Sequence, residues 1–239
     1  MTAAQTQDLH NPIAQKIRVA IVDDQQLFCA GMKLLVDSQE DLEVVGMAHN
    51  GSDAVVLAKE SRPDVILMDV RMPILNGIDA TAKILAEASQ SGEPLPQIIV
   101  LTTFQRDGAV AHAVRAGASG FLLKSATPDF VLSAIRTVYE GQAVIAPTDV
   151  EEILRLHSQR PEERASTPNF AEDAISALSP REKEIYLLVA KGLTNGAIAT
   201  TAFISETTVK THVGNVLSKL KLTSRAQIIA HAYDNGLVR

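Results

Sequence analysis

The chain has 239 residues, 46% of them hydrophobic and 21% charged, with a formal net charge of −6. That length allows two domains with self-sufficient cores, and no apolar run is long enough to span a bilayer, which excludes a helical membrane protein. A single cysteine, Cys29, excludes an internal disulfide framework, and the opening "MTAAQTQDLHNPIAQK" lacks the basic start and apolar stretch of a secretory signal, so the expected location is cytoplasmic.

Residues 1–16 read as a disordered leader. From Arg18 to Glu140 short apolar runs, "RVAIV", "LEVVGMA", "DVILM", "QIIVLT" and "GFLL", alternate with helical patterns such as "LFCAGMKLLVD", "GIDATAKILAEA" and "DFVLSAIRTVYEG". The runs show no in/out alternation, so they are expected to be strands buried on both faces. Five βα units then give an α/β domain over residues 17–141, a doubly wound five-stranded parallel sheet with helices on each side. Gly117 and Gly141 are placed to close helices through positive φ. Cys29 falls in the first helical pattern, where a free cysteine reads as a small buried apolar residue.

Residues 142–176 read as a linker. "DVEEILRLHS" is compatible with a short helix, whereas "QRPEERASTPNFAED" carries two prolines and mixed charge. An all-α unit of four helices follows over 177–239. Ser179, Pro180 and Glu182 form a capping box that opens "PREKEIYLLVAKG", which Gly192 ends. Thr194 and Ser205 are the expected N-caps of "NGAIATTA" and "ETTVKTHVGNVLSKL", and Ser224 with Gln227 caps "RAQIIAHAYDNG". From Ala177 onward eight Lys/Arg stand against four acids, a charge of +4, which leaves −10 for the rest of the chain. This end is suited to approach a polyanion.

In an open α/β sheet, ligands bind beyond the carboxyl ends of the strands. The residues there are Asp23 and Asp24 after the first strand, Asp69 at the end of the third, Thr102 and Thr103 after the fourth and Lys124 after the fifth. Three carboxylates brought together repel and need a cation, and Mg²⁺, a hard ion with octahedral oxygen coordination, suits a site that also binds phosphate oxygens. The hydroxyl and the ammonium would then contact the oxygens of a transferred phosphoryl group.

These motifs resemble the receiver domain of bacterial two-component response regulators. The residues concerned are "VDD" at 22–24, "MDVRMP" at 68–73 with Gly77, "LTTF" at 101–104 and "GASGFLLK" at 117–124. The resemblance implies a flavodoxin-like fold in which Asp69 accepts a phosphoryl group from the phosphohistidine of a sensor histidine kinase. It further implies Mg²⁺ held by Asp24, Asp69 and the Arg71 backbone carbonyl, with Asp23 one water away. Thr102 and Lys124 would touch the phosphoryl group, and the Phe121 ring would rotate when Thr102 moves. Many receivers have a proline after the lysine, commonly in a cis bond; here Ser125 stands there. A phosphatase with an aspartate nucleophile needs a second acid two residues on, and that position is Arg71. The protein is therefore not read as an enzyme, although the receiver would take part in its own Mg²⁺-dependent phosphorylation and dephosphorylation.

In the longest helical pattern of the C-terminal unit, Val209, Val213, Val216, Leu217 and Leu220 lie on one face. The other face carries Lys210, Thr211, Gly214 and Ser218, flanked by Thr207, Thr208 and Asn215, and suits insertion into a major groove. His212 lies beside the apolar stripe and reads as a packed histidine. Residues 177–239 resemble the LuxR-type helix-turn-helix domain through "LSPREKEI", "VAKGLTNGAIA", "FISETTVKTHVGNVLSKL" and "SRAQIIAHAYDNGLV". Ala197 replaces the usual glutamate of "N-x-E-I-A", and Gly214 replaces a larger polar side chain. Together the two units are similar to the NarL/FixJ regulators. That likeness implies a phosphorylation-dependent homodimer on promoter double-stranded DNA, with RNA polymerase as a further partner; pairing would use the last helix, whose stripe Ile228, Ile229, Ala232 and Tyr233 is compatible with it, although part of that stripe reads as core of its own domain.

Overall fold

The computed structural model describes residues 16–103, 109–144 and 174–238. The expected leader up to Gln15, the linker segment 145–173 with its candidate short helix, and Phe104 of the "LTTF" motif lie outside the described residues. Strands β1 (Ile17–Val22), β2 (Leu42–Ala48), β3 (Val65–Asp69), β4 (Gln97–Thr102) and β5 (Gly120–Leu123) alternate with helices α1 (Gln26–Asp37), α2 (Gly51–Ser61), α3 (Gly77–Ser91), α4 (Ala109–Ala116) and α5 (Pro128–Tyr139). The strands form one parallel sheet in the order β2-β1-β3-β4-β5. Every residue of β3, "VILMD", is buried, as an uninterrupted apolar strand covered by helices on both faces requires.

Successive side chains along a strand point to opposite faces, and the two cores follow that alternation. Ala20, Val22, Ile66, Met68, Ile98 and Val100 pack toward α2, α3 and α4. Val19, Ile21, Val65, Leu67, Ile99 and Leu101 pack toward α1 and α5. The chain leaves β1 toward β2 and returns across it to β3, so the strand order reverses between β1 and β3, the position where an open sheet of this kind leaves a crevice. Asp23 directly follows β1 and Asp69 ends β3. The register Val22↔Met68 sets the two acids level with each other.

The C-terminal unit consists of α6 (Pro180–Ala190), α7 (Asn195–Ala202), α8 (Glu206–Leu220) and α9 (Arg225–Asp234). The capping box at Ser179 and Glu182 is present in full, and Thr194, Ser205 and Ser224 each cap their helix by accepting a backbone N–H. Gln227 departs from the expected pattern: its side-chain oxygen accepts from the Thr223 backbone N–H at 2.7 Å. The core is built from Ile185, Tyr186, Val189, Ile198, Val209, Val213, Val216, Ile228 and Ala232. Polar ties reinforce it. Glu182 meets Lys219 at 2.6 Å, and buried Arg225 donates to the Asn195 side chain at 2.8 Å and to the Leu193 carbonyl. Burial without a facing carboxylate in those contacts lowers the Arg225 guanidinium to about 10.

The two units meet where α4 ends and α9 begins. Helix ends leave backbone carbonyls without intrahelical partners. Here the Gln227 side chain donates to the Arg115 carbonyl at 3.0 Å, and the Ser224 hydroxyl donates to the Ala118 carbonyl at 3.0 Å. Ala226 and Ala230 join the apolar cluster that contains Val110, Val114 and Leu85. Small side chains on α9 permit this close approach.

Candidate metal centre and nucleic-acid interface

The strand ends converge as the sequence requires. Asp23 is fully buried, Asp69 is 4% exposed and Asp24 is exposed. One donor atom from each carboxylate lies within 4.8 Å of the others. Lys124 follows β5, and its ammonium lies 2.7 Å from Asp23 Oδ2 and 3.2 Å from Asp69 Oδ2. The contact with Asp23 Oδ2 is an ion pair without hydrogen-bond alignment. Asp23 Oδ1 accepts the Gln25 backbone N–H at 3.0 Å, and the Arg71 backbone N–H donates to the Asp69 carboxylate.

Burial first, then the Asp23 charge, raises the Asp69 carboxyl above its ordinary value, against the opposing pull of Lys124. Burial would lower the Lys124 ammonium, but its close ion-pair contacts with Asp23 and Asp69 outweigh it and leave it raised. The ammonium also lies 5.1 Å from the centroid of the Phe28 ring. Among the described residues the Lys124 ammonium pairs with two of the three carboxylates, both of them buried. This donor set, all oxygen and in excess negative charge, fits a hard divalent cation such as Mg²⁺.

Thr102 ends β4 and is buried, and its carbonyl accepts the Lys124 backbone N–H at 2.7 Å, which locks the two strand ends together. Phe121 is buried in the cluster shared with Met68, Val100 and Val110. The Lys124–Ser125 peptide is trans, as expected in the absence of proline there. Gly77 opens α3 against the pocket: a Cβ added to it would lie 1.9 Å from the Asp69 carbonyl oxygen. In the loop between them Ile74 holds φ at 69°, an uncommon conformation for a β-branched residue, and is 82% exposed.

On α8, Val209, Val213 and Val216 are buried, whereas Thr207, Lys210, Thr211, Gly214, Asn215 and Ser218 are exposed. Thr208 is half-buried, and its hydroxyl bonds that of the N-cap Ser205 at 2.8 Å. A Cβ at Gly214 would meet nothing within 4 Å, so the middle of this face is open.

Residues 19–136 match the family described as "Response regulator receiver domain", and residues 176–232 match "Bacterial regulatory proteins, luxR family". The chain is 39% identical to the uncharacterized transcriptional regulatory protein YxjL of Bacillus subtilis, over 94% of this chain and 98% of that protein. The chain belongs to the two-component response regulators of the NarL/FixJ family. This regulator is also 37% identical to the response regulator protein VraR of Staphylococcus epidermidis, over 93% of its own length and 99% of that protein. Among solved structures, a LuxR-family two-component response regulator from Aurantimonas sp. SI85-9A1 is 29% identical, with a TM-score of 0.52, over 61% of this chain and 100% of that one.

Asp23, Asp24, Asp69, Thr102 and Lys124, singled out in the sequence, thus come together at one edge of the regulator's sheet, with Arg71 beside them. Phe121 is one strand away, inside the core. Of the stripe assigned to pairing on α9, Ile228 and Ala232 are buried in the unit's own core, and Ile229 and Tyr233 are half-buried. Sequence reasoning missed the α4–α9 contact: Ser224 and Gln227 read as capping residues, and nothing in their local pattern indicates that they also bind another domain. No helix of the described residues is long and apolar enough to cross a membrane.

Proposed function

We propose that the regulator accepts a phosphoryl group on Asp69 from the phosphohistidine of a sensor histidine kinase, and that phosphorylation controls its pairing and its sequence-specific binding to promoter DNA. The observation that carries this reading is the buried Asp69 carboxylate, at the end of a parallel strand beside Asp23, Asp24 and the Lys124 ammonium. An oxygen of Asp69 attacks phosphorus, the P–N bond breaks, and the leaving imidazole departs with its bonding electrons and takes a proton from solvent. Asp24, Asp69 and the Arg71 carbonyl would hold Mg²⁺, with Asp23 supporting the site. Bound there, the ion supplies charge neutralisation at the phosphoryl oxygens. Lys124 is positioned to contact a second oxygen, and Thr102 a third, displacing Phe121 as it does so.

Pairing is the step placed under control. The α8 face is exposed, so the regulator need not uncover it. What the receiver holds is the N-terminal end of α9, through Ser224 and Gln227. Movement of Thr102 passes along β4 to α4 and loosens that hold, and two free C-terminal units then occupy half-sites about one helical turn apart. The test is incubation of the parent and Asp69→Asn with Mg²⁺ and acetyl phosphate, followed by intact mass and sedimentation velocity. One phosphoryl group and a shift toward dimer are expected in the parent only. Equal label on Asp69→Asn would remove Asp69 as acceptor, and a labelled but monomeric parent would remove the link to pairing.

A further inference from the structure

The peptide unit joining Asp23 and Asp24 is held from outside the acid cluster. Its oxygen, the Asp23 carbonyl, accepts from two side chains, Cys29 Sγ at 3.4 Å and His49 Nδ1 at 3.0 Å. A carbonyl can only accept, so Nδ1 carries the imidazole proton in this contact. The donors come from two different parts of the chain: Cys29 lies in α1, and His49 follows β2. They lie 3.9 Å from each other. The Asp23 backbone N–H is bound as well, to the Ala48 carbonyl at 3.1 Å.

Because a peptide unit is planar, the direction of its oxygen fixes one backbone torsion on each side of it, ψ of Asp23 and φ of Asp24. Those torsions aim both carboxylate stems. Left unheld, the unit could turn, and the mutual repulsion of three carboxylates would favour a turn that separates them. Cys29 is 1% exposed, and its thiol is the donor in this contact because the carbonyl oxygen can only accept. His49 is exposed, so its value at this position lies in the hydrogen bond rather than in packing.

We propose that Cys29 and His49 are positioning residues for the phosphoacceptor pocket, holding the Asp23–Asp24 peptide so that the acids present a ready set of oxygens to Mg²⁺. The proposal rests on the reading of that pocket as a Mg²⁺ site. Partners that orient metal ligands from behind typically contribute about 10–100-fold in affinity.

The test is calorimetric titration of Mg²⁺ into the full chain without a phosphodonor, with a melting curve of each variant in metal-free buffer. His49→Ala is expected to weaken Mg²⁺ binding about tenfold, with a metal-free melting curve close to the parent's. Cys29→Ala is expected to act in the same direction, and the pair together by less than the product of the two, because both donors serve one oxygen. His49→Asn and Cys29→Ser, which keep a donor at each position, are expected to restore binding to near the parent's. Amide hydrogen exchange at Gln25, measured without metal, is expected to accelerate in His49→Ala and in Cys29→Ala. Parent-like Mg²⁺ affinity in His49→Ala, or donor-retaining variants as weak as the alanine forms, would overturn the proposal. If Cys29→Ala does not fold, the exposed position His49 decides. A parent that shows no Mg²⁺ binding would overturn the pocket reading itself, and the clamp with it.

Discussion

Ser224 caps α9 and in the same position donates its hydroxyl hydrogen, at 3.0 Å, to the Ala118 carbonyl just beyond α4. One side chain therefore ends the orphan state of groups in two domains: it accepts from the Gln227 N–H within the helix-turn-helix unit and satisfies a carbonyl of the receiver. With Gln227 on the Arg115 carbonyl, it makes the junction a polar clasp around the small apolar contact of Ala226 and Ala230.

Opening that clasp should favour pairing without phosphorylation. Ala230 packs against the receiver cluster and not in the core of its own unit, so Ala230→Glu should separate the domains and leave the helix-turn-helix fold in place. Unmodified Ala230→Glu is expected to show a larger radius of gyration by small-angle scattering and to bind paired half-sites at least about fivefold more tightly than the unmodified parent. An expanded molecule with unchanged DNA affinity would show that the clasp does not restrain binding.

Gly77 is required by distance rather than by backbone torsion. A methyl group there would lie 1.9 Å from the Asp69 carbonyl oxygen and 2.9 Å from the Met68 side chain. Gly77→Ala must push α3 away from β3, at a cost of about 1–3 kcal/mol, and tilt Asp69. Chemical denaturation should register the loss of stability, and acetyl phosphate labelling should slow. Parent values for both would mean that the loop yields without disturbing Asp69.

On α8 the exposed Lys210 stands on the open face with Thr211 and Gly214. Lys210→Ala is expected to weaken operator binding by about 1–3 kcal/mol if the side chain reaches a base edge. If it contacts phosphate alone, all sequences weaken alike and the slope of binding against salt falls by about one. Unaltered binding on both counts would assign the groove to another face.

The helix-turn-helix core contains a pH-sensitive pair. His231 Nδ1 lies 2.7 Å from the hydroxyl of fully buried Tyr186, and the rings meet edge to face. Burial lowers the imidazole below its ordinary 6.5, with partial relief from the Asp234 carboxylate. The unfolded chain then takes up this proton before the folded one does, so the contribution to stability is complete above pH 6.5 and is lost as pH falls through that value toward the lower folded one. An NMR titration of His231 should give a midpoint below 6.5, and melting temperature should fall with acidification in the parent more than in His231→Gln. A midpoint above 6.5 would reverse the sign.

Much of this architecture is written in local patterns. Uninterrupted apolar strands such as "VILM" can be buried only between two helical layers, and Ser179 with Glu182 three residues later opens a helix wherever the chain is placed. Asp69 was legible as a site residue because it breaks such a strand at the end where an open parallel sheet binds its ligands, and Lys124 because it stands at the same edge. The face of α8 was legible from the spacing of its three valines, since a helix that buries one stripe must expose the opposite one.

The tertiary structure decided what spacing does not encode. It placed Lys124 between Asp23 and Asp69, turned the Cys29 thiol and the His49 imidazole onto one carbonyl, and brought Ser224 to Ala118, across 106 residues of chain. Each of these depends on which elements lie side by side, and a pattern of residues along one element carries no information about its neighbour. The sequence by itself therefore determined the strands, the caps, the aspartate at the end of β3 and the exposed polar face of α8, because local sterics and burial fix them. Which surface of the helix-turn-helix unit the receiver holds was settled only when the carbonyls at the end of α4 met donors from α9, because unsatisfied backbone groups take whatever partner the assembled fold brings within hydrogen-bonding distance.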